Sequence, residues 1–138
     1  MAEINGLITI RSSLSPEETL HRLQTVIAER GLEIFAHIDH AKEARKVGLS
    51  LAPTDVVIFG NAKVGTPLMS TLRTIGLDLP LKVLVWQDDS GITWLTYTDP
   101  AWLHARHGGA GDTAGPVSLL SEALSAVSKA AAQRDGGR

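Results

Sequence analysis

The sequence predicts an α+β domain: a two-layer α/β sandwich with a mixed sheet of about five strands and helices mainly on one face. Three observations carry this. At 138 residues the chain holds one hydrophobic core and has no room for two full-sized ones. Its apolar periodicities run β-α-β-α-β-α-β-β-α-α, and each helix is apolar along a single stripe, so each covers one face of a sheet. Near residue 90 two strands are joined by Asp88-Asp89-Ser90-Gly91, a hairpin turn by length and chemistry. Among strand–helix–strand units, that hairpin brings antiparallel pairing and makes the expected sheet mixed. The pattern does not fix strand order. A single domain is expected over residues 1–134, with 135–138 as a frayed tail.

The first strand is read over residues 4–11. Ser15-Pro16-Glu17-Glu18 then starts a helix, with Ser15 as cap, Pro16 at the first helical position and Glu18 closing a capping box. Leu20, Leu23 and Ile27 share its apolar face, and Gly31 stops it. Leu32, Ile34, Ala36 and Ile38 alternate with polar or exposed positions, the period of a half-buried strand. Residues 41–47 form a brief helix ended by Gly48, and Val56-Val57-Ile58-Phe59 reads as the most buried strand. Residues 60–65 are expected to be a loop, with Thr66-Pro67 opening a helix that points Leu68, Met69, Leu72 and Ile75 inward. Residues 81–87 and 92–98 are the hairpin strands, and Asp99-Pro100 caps a helix over 101–107. Residues 108–112 have the composition of a mobile connector. The last helix spans 116–133, with Val117, Leu120, Leu124, Val127 and Ala131 on one stripe.

Composition narrows the function classes. The net charge of -2, from 13 Lys+Arg against 15 Asp+Glu, gives no general attraction to nucleic acid or an anionic membrane. The absence of cysteine excludes disulfides, thiol nucleophiles and thiolate metal sites. No apolar run reaches the roughly 20 residues a membrane-spanning helix needs, and the start lacks a signal peptide's pattern. A cytoplasmic protein is therefore expected, with no nucleic-acid or membrane partner.

Chemistry is expected at two strand-to-helix junctions. In the first, Gly60, Asn61, Lys63, Gly65 and Thr66 lie between a buried strand and a helix start. Unpaired amides and the positive helix end suit a carboxylate or phosphate, Lys63 adds a full charge, and the glycines admit a ligand close to the backbone. This is no Walker loop, because Thr66-Pro67 follows where a Lys-Ser/Thr pair would be required. The plainer alternative is a tight turn with Lys63 solvated. At the second junction, Asp39 beside His40 can orient an imidazole for acid–base work, or Asp39 can simply cap the following helix. His104 and His107 share a helix face, but no third ligand is near in sequence and no metal is expected. Trp86, Trp94, Tyr97 and Trp102 concentrate aromatic surface in the hairpin and the helix after it, where Trp86 can line a pocket or a dimer face. No Ser-His-Asp signature is present.

Taken together, Asp39-His40, Leu51-Ala52-Pro53-Thr54, Ile58-Phe59-Gly60-Asn61, Lys63, Gly65-Thr66-Pro67-Leu68-Met69, Leu77-Asp78-Leu79-Pro80-Leu81-Lys82 and Val85-Trp86 resemble the family called domain of unknown function 302. Trp94-Leu95, Tyr97, Asp99-Pro100 and Arg106-His107-Gly108 continue the likeness, which covers roughly residues 8–108 with the last helix as an extension. The resemblance implies a small two-layer α/β fold that is commonly dimeric, and no established activity. This chain departs from the family's usual Gly-Asn-Pro-Lys at Ala62, which should loosen the loop. It departs again at Gln87, where an acidic residue is common.

Three functions compete. The leading expectation is a domain binding a small anionic ligand at the 60–66 loop, with Asp39 and His40 close by and no cofactor identified. The second is an enzyme using His40 as acid or base and Lys63 to hold an anionic substrate. The third is a homodimeric interaction module without a ligand. Whether His40 and Lys63 converge decides between them.

Overall fold

The computed structural model describes residues 4–134, so the tail expected over 135–138 lies outside the described residues. Five strands, β1 (Leu7–Ser12), β2 (Glu33–Asp39), β3 (Thr54–Gly60), β4 (Leu81–Gln87) and β5 (Thr93–Thr98), form one sheet in the order β1-β5-β4-β3-β2. The helices are α1 (Pro16–Glu29), α2 (His40–Lys46), α3 (Ala62–Thr71), α4 (Pro100–Arg106) and α5 (Ala114–Ala131). The two-layer α+β reading holds. The mixed sheet does not, because every neighbouring pair is antiparallel. The reason lies in the connections: α2 and α3 leave and re-enter the sheet at the same end, so each joins adjacent antiparallel strands. The α1 connection does return the chain in its original direction, but it carries β2 to the edge opposite β1.

Alternation along the strands builds the core. Val57, Phe59, Leu81, Val83, Val85, Leu95 and Tyr97 point to one face, where Leu23 and Ile27 of α1 and Leu120, Leu124 and Val127 of α5 cover them. The capping box of α1 is complete: the Glu18 amide donates to Ser15 Oγ at 3.1 Å, and the Ser15 amide reaches back to Glu18 Oε1. The opposite face carries half-buried Val56, Ile58, Leu84, Trp86 and Trp94. Trp86 and Trp94 are cross-strand partners there, stacked with centroids 6.3 Å apart. The edge strand β2 is more exposed than its alternation predicts, with Phe35 and Ile38 largely open.

Two boundaries differ with consequences. The segment 108–112 is not free chain: Gly111–Thr113 forms a 3-10 helix, Gly109 N donates to His104 O, and the Thr113 hydroxyl pairs with His104 Nε2. Nor is there a loop over 60–65. Helix α3 begins at Ala62, with Asn61 as its cap and Pro67 inside it, and a 3-10 helix follows at Arg73–Leu77. The start expected at Thr66-Pro67 rests on proline's preference for the first turn; Asn61 out-competes it by bonding two residues ahead. Ala62 thus occupies the first helical position, where proline also fits, so the exchange leaves the helix start intact.

Candidate functional site

The cap geometry at Asn61 decides what this end of the sheet can bind. Asn61 Oδ1 accepts from the Lys63 amide at 3.0 Å, and the Asn61 carbonyl accepts from both Val64 and Gly65 amides. Three donors expected to face a ligand are therefore used within the chain. Lys63 lies exposed on α3, outside the lining of the nearby cavity. The anion-binding loop has become an ordinary capped helix start.

Beside it lies a cavity of about 210 Å³ between the end of β3, α3 and the start of β4. Phe35, Met69, Leu79, Leu81 and Leu120 give it apolar walls, while Gly60, Asn61, Gly65 and Thr66 contribute the polar side. Two glycines are part of its wall. A Cβ on Gly60 would touch Phe35 and Pro80 at 3.6 Å, and one on Gly65 would touch Met69 and Leu79 at 3.8 and 3.9 Å. Four of the expected ligand residues thus converge, on a space that is mostly hydrocarbon.

The other expected residues are elsewhere. Register pairs Glu33 with Gly60 at one end of β2–β3 and Asp39 with Asp55 at the other. At roughly 3.4 Å per residue, that separates Asp39-His40 from Asn61 and Lys63 by about 20 Å. Asp39 caps α2 by accepting from the Lys42 amide at 2.9 Å, and His40 is exposed at the first turn. At this end of the sheet the histidine that does hold a carboxylate is His37, with Nε2 2.8 Å from Asp55 Oδ1. Trp86 pairs with Thr54 and donates to Thr96, well away from the cavity. Gln87 donates to Gly91 O and so serves the hairpin.

A further cluster escaped the sequence because its members are far apart in the chain. Asp78 accepts from His107 Nε2 at 2.5 Å and from Arg106 at 3.2 Å, while His107 Nδ1 faces Thr74 Oγ1 at 2.8 Å. Lys82 donates to the carbonyls of Asp78 and Pro80. Burial pulls its amine below the ordinary lysine value, with the Asp78 carboxylate opposing. His104 and His107 have separate partners, Thr113 and Asp78, and do not converge. Among the described residues no group of three or more metal-ligating side chains is present.

A family model described as domain of unknown function DUF302 matches residues 8–131. The chain belongs to the DUF302 family. A second DUF302 protein, an uncharacterized conserved protein from Bacillus stearothermophilus known from its crystal structure, superposes with a TM-score of 0.82. The match covers 93% of this chain and 99% of that one at 18% identity, which is a likeness of fold. Among curated proteins, the chain is 48% identical over 103 residues to the fluoride-specific ion channel FluC 1 of Brucella suis biovar 1 (strain 1330). It matches FluC 1 of Brucella abortus biovar 1 (strain 9-941) to the same degree. Each match takes in 75% of this DUF302 chain but only 41% and 38% of the respective relative, so the chain spans less than half their length. No helix among the described residues is long and apolar enough to cross a membrane.

Proposed function

We propose that this DUF302 domain binds a small, mostly apolar molecule, with its polar end at Asn61 and Thr66. The supporting observation is the cavity of about 210 Å³, whose lining is largely aliphatic and aromatic and includes Asn61 and Thr66. This departs from the anionic ligand expected of the sequence, since Lys63 is outside the cavity lining and the Lys63, Val64 and Gly65 amides are bonded to Asn61. The test titrates hexanol and hexanoate into the protein and follows the Met69 methyl and Phe35 ring signals by NMR. Saturable shifts in the wild type, lost in Gly65→Leu, are expected, because Gly65 lines the cavity and a Cβ there would already touch Met69 and Leu79. No shift at millimolar ligand, or equal shifts in the variant, overturns the reading.

The 48% match places a close relative of this domain within polypeptides named as fluoride-specific ion channels. In our reading, ion conduction belongs to the remainder of those relatives, and the shared segment is a ligand-responsive module working beside it in the cytoplasm. Sodium fluoride followed by fluorine NMR should show no saturable change on adding this protein. A saturable shift would assign fluoride to the domain itself.

A homodimer is the second reading. Phe35 and Ile38 are exposed on the edge strand β2, and Val47, Leu49 and Leu51 are exposed after α2; among the described residues the outer side of β2 has no strand partner. Sedimentation equilibrium should give a dimer that Ile38→Lys dissociates, and a monomer at tens of micromolar removes this reading.

A further inference from the structure

Away from the cavity walls, a hydroxyl, an imidazole and a carboxylate are joined in one line of hydrogen bonds. Thr74 comes from the 3-10 helix, Asp78 from the turn after it, and His107 from the end of α4. We infer that Thr74, His107 and Asp78 form a hydrolytic site for small acyl esters, with the Thr74 hydroxyl as nucleophile. The inference is independent of the cavity described above.

Direction along the chain follows from the chemistry of its ends. An ionised carboxylate only accepts, so His107 Nε2 donates its proton to Asp78 at 2.5 Å. In the neutral imidazole Nδ1 is then the acceptor, with Thr74 Oγ1 as donor at 2.8 Å. Nucleophile, base and orienting carboxylate are thus in hydrogen-bond reach in the required sequence. The His107 side chain is only 7% exposed, while Thr74 is open to solvent. The base is held and the nucleophile can be reached.

In a 3-10 helix residues three apart share a face, which puts Leu77 on the Thr74 side. Leu77 and Asp78, though not Thr74 or His107, line a second cavity of about 210 Å³ together with Leu81, Lys82, Thr98, Leu103 and Leu124.

The reaction balances with ester and water alone. Thr74 Oγ1 attacks the ester carbonyl carbon as its proton passes to His107 Nδ1. The tetrahedral adduct collapses, the bond to the leaving alkoxide breaks, and the alkoxide takes that proton and departs as the alcohol. Water then attacks the acyl-threonine, giving a proton to Nδ1, and the carboxylic acid leaves as Thr74 recovers its hydrogen. Thr74 and His107 are the catalytic residues, and Asp78 is a positioning residue.

The experiment measures hydrolysis of p-nitrophenyl acetate and butyrate by the full chain, with intact mass and peptide mapping after acid quench. Turnover with an acyl adduct on Thr74 is expected. Thr74→Val keeps the shape at an exposed position, so the melting temperature should hold while turnover falls about 100-fold or more and the adduct disappears. Thr74→Ser keeps a hydroxyl and should still form the adduct, with a changed turnover rate. Asp78→Asn should lower kcat with KM unchanged, with partial recovery in Asp78→Glu. Three results overturn the inference: no turnover above buffer, a Thr74→Val rate equal to wild type, or an adduct mapping to Lys82.

Discussion

The two ends of the sheet are built from the same parts and do different things. At each end a β-strand runs into a helix through an Asx cap, Asp39 before α2 and Asn61 before α3, each accepting from a first-turn amide at about 3 Å. Past the cap they diverge. Behind Asn61 the chain encloses an apolar cavity with the Asp78–His107–Thr74 line nearby, whereas behind Asp39 the side chains spread into exposed edge strand, exposed helix and the His37–Asp55 pair. The cap motif itself therefore carries no functional information; what the following helix folds against does.

The sharpest way to break this contrast is in the packing. Phe59 is fully buried on β3, one residue before Gly60, and truncating it to alanine should cost about 3–5 kcal/mol in urea denaturation. His40→Ala at the other end should fall within about 0.5 kcal/mol of wild type, because the ring is exposed. A cost above about 2 kcal/mol for His40→Ala would show that the second end is a built site after all.

The two caps give a finer comparison. Asn61→Ala and Asp39→Ala each remove one side-chain acceptor and should each cost about 1 kcal/mol. Only Asn61→Ala should also weaken hexanol binding, measured by the same NMR titration. Equal effects on binding would erase the distinction between the ends.

Smallest is a pH effect at the hairpin, on the Asp39 end. Asp88 accepts from the Trp94 indole and from the Ile92 and Ser90 amides, and these bonds, the indole's first, hold its carboxyl below the ordinary value. Between the folded value and the unfolded one near about 4, the unfolded chain binds more protons, so stability rises with pH across that window. The contribution is complete above it and is lost as pH falls through the folded value. Melting temperatures between pH 2 and 5 should therefore climb less steeply in Asp88→Asn than in wild type. Identical slopes would remove the assignment.

Local chemistry was legible from the sequence and distant chemistry was not. Ser15–Glu18, the Asp88–Gly91 turn and the α5 stripe each act within a few residues, and each formed as read. Strand pairing is a choice among partners that the α-helical connections only appeared to dictate, hence the mixed sheet that became antiparallel. The site followed the same rule. Gly60, Asn61, Gly65 and Thr66 sit together because they are sequence neighbours, and their surroundings, Phe35 and Leu120, come from 25 residues before and 54 after. The His107 partner lies 29 residues away, with no local pattern to announce it. His40 and Lys63 were paired by residue type alone, and the register of β2 on β3 keeps them apart.

The pairing of β1 with β5 also sets the order in which the domain can form. Leu7 meets Thr98 and Ser12 meets Thr93, so the first strand made has no partner until the last strand exists. On a ribosome, β2 to β4 can assemble as they emerge, while β1 waits at the end of a long loop whose closure is costly and slow. A chain arrested before residue 93 leaves Ile8 and Ile10 without a neighbouring strand and α1 with only part of the sheet to cover. Completion of β5 closes the sheet, and α5, made later still, then covers its core face.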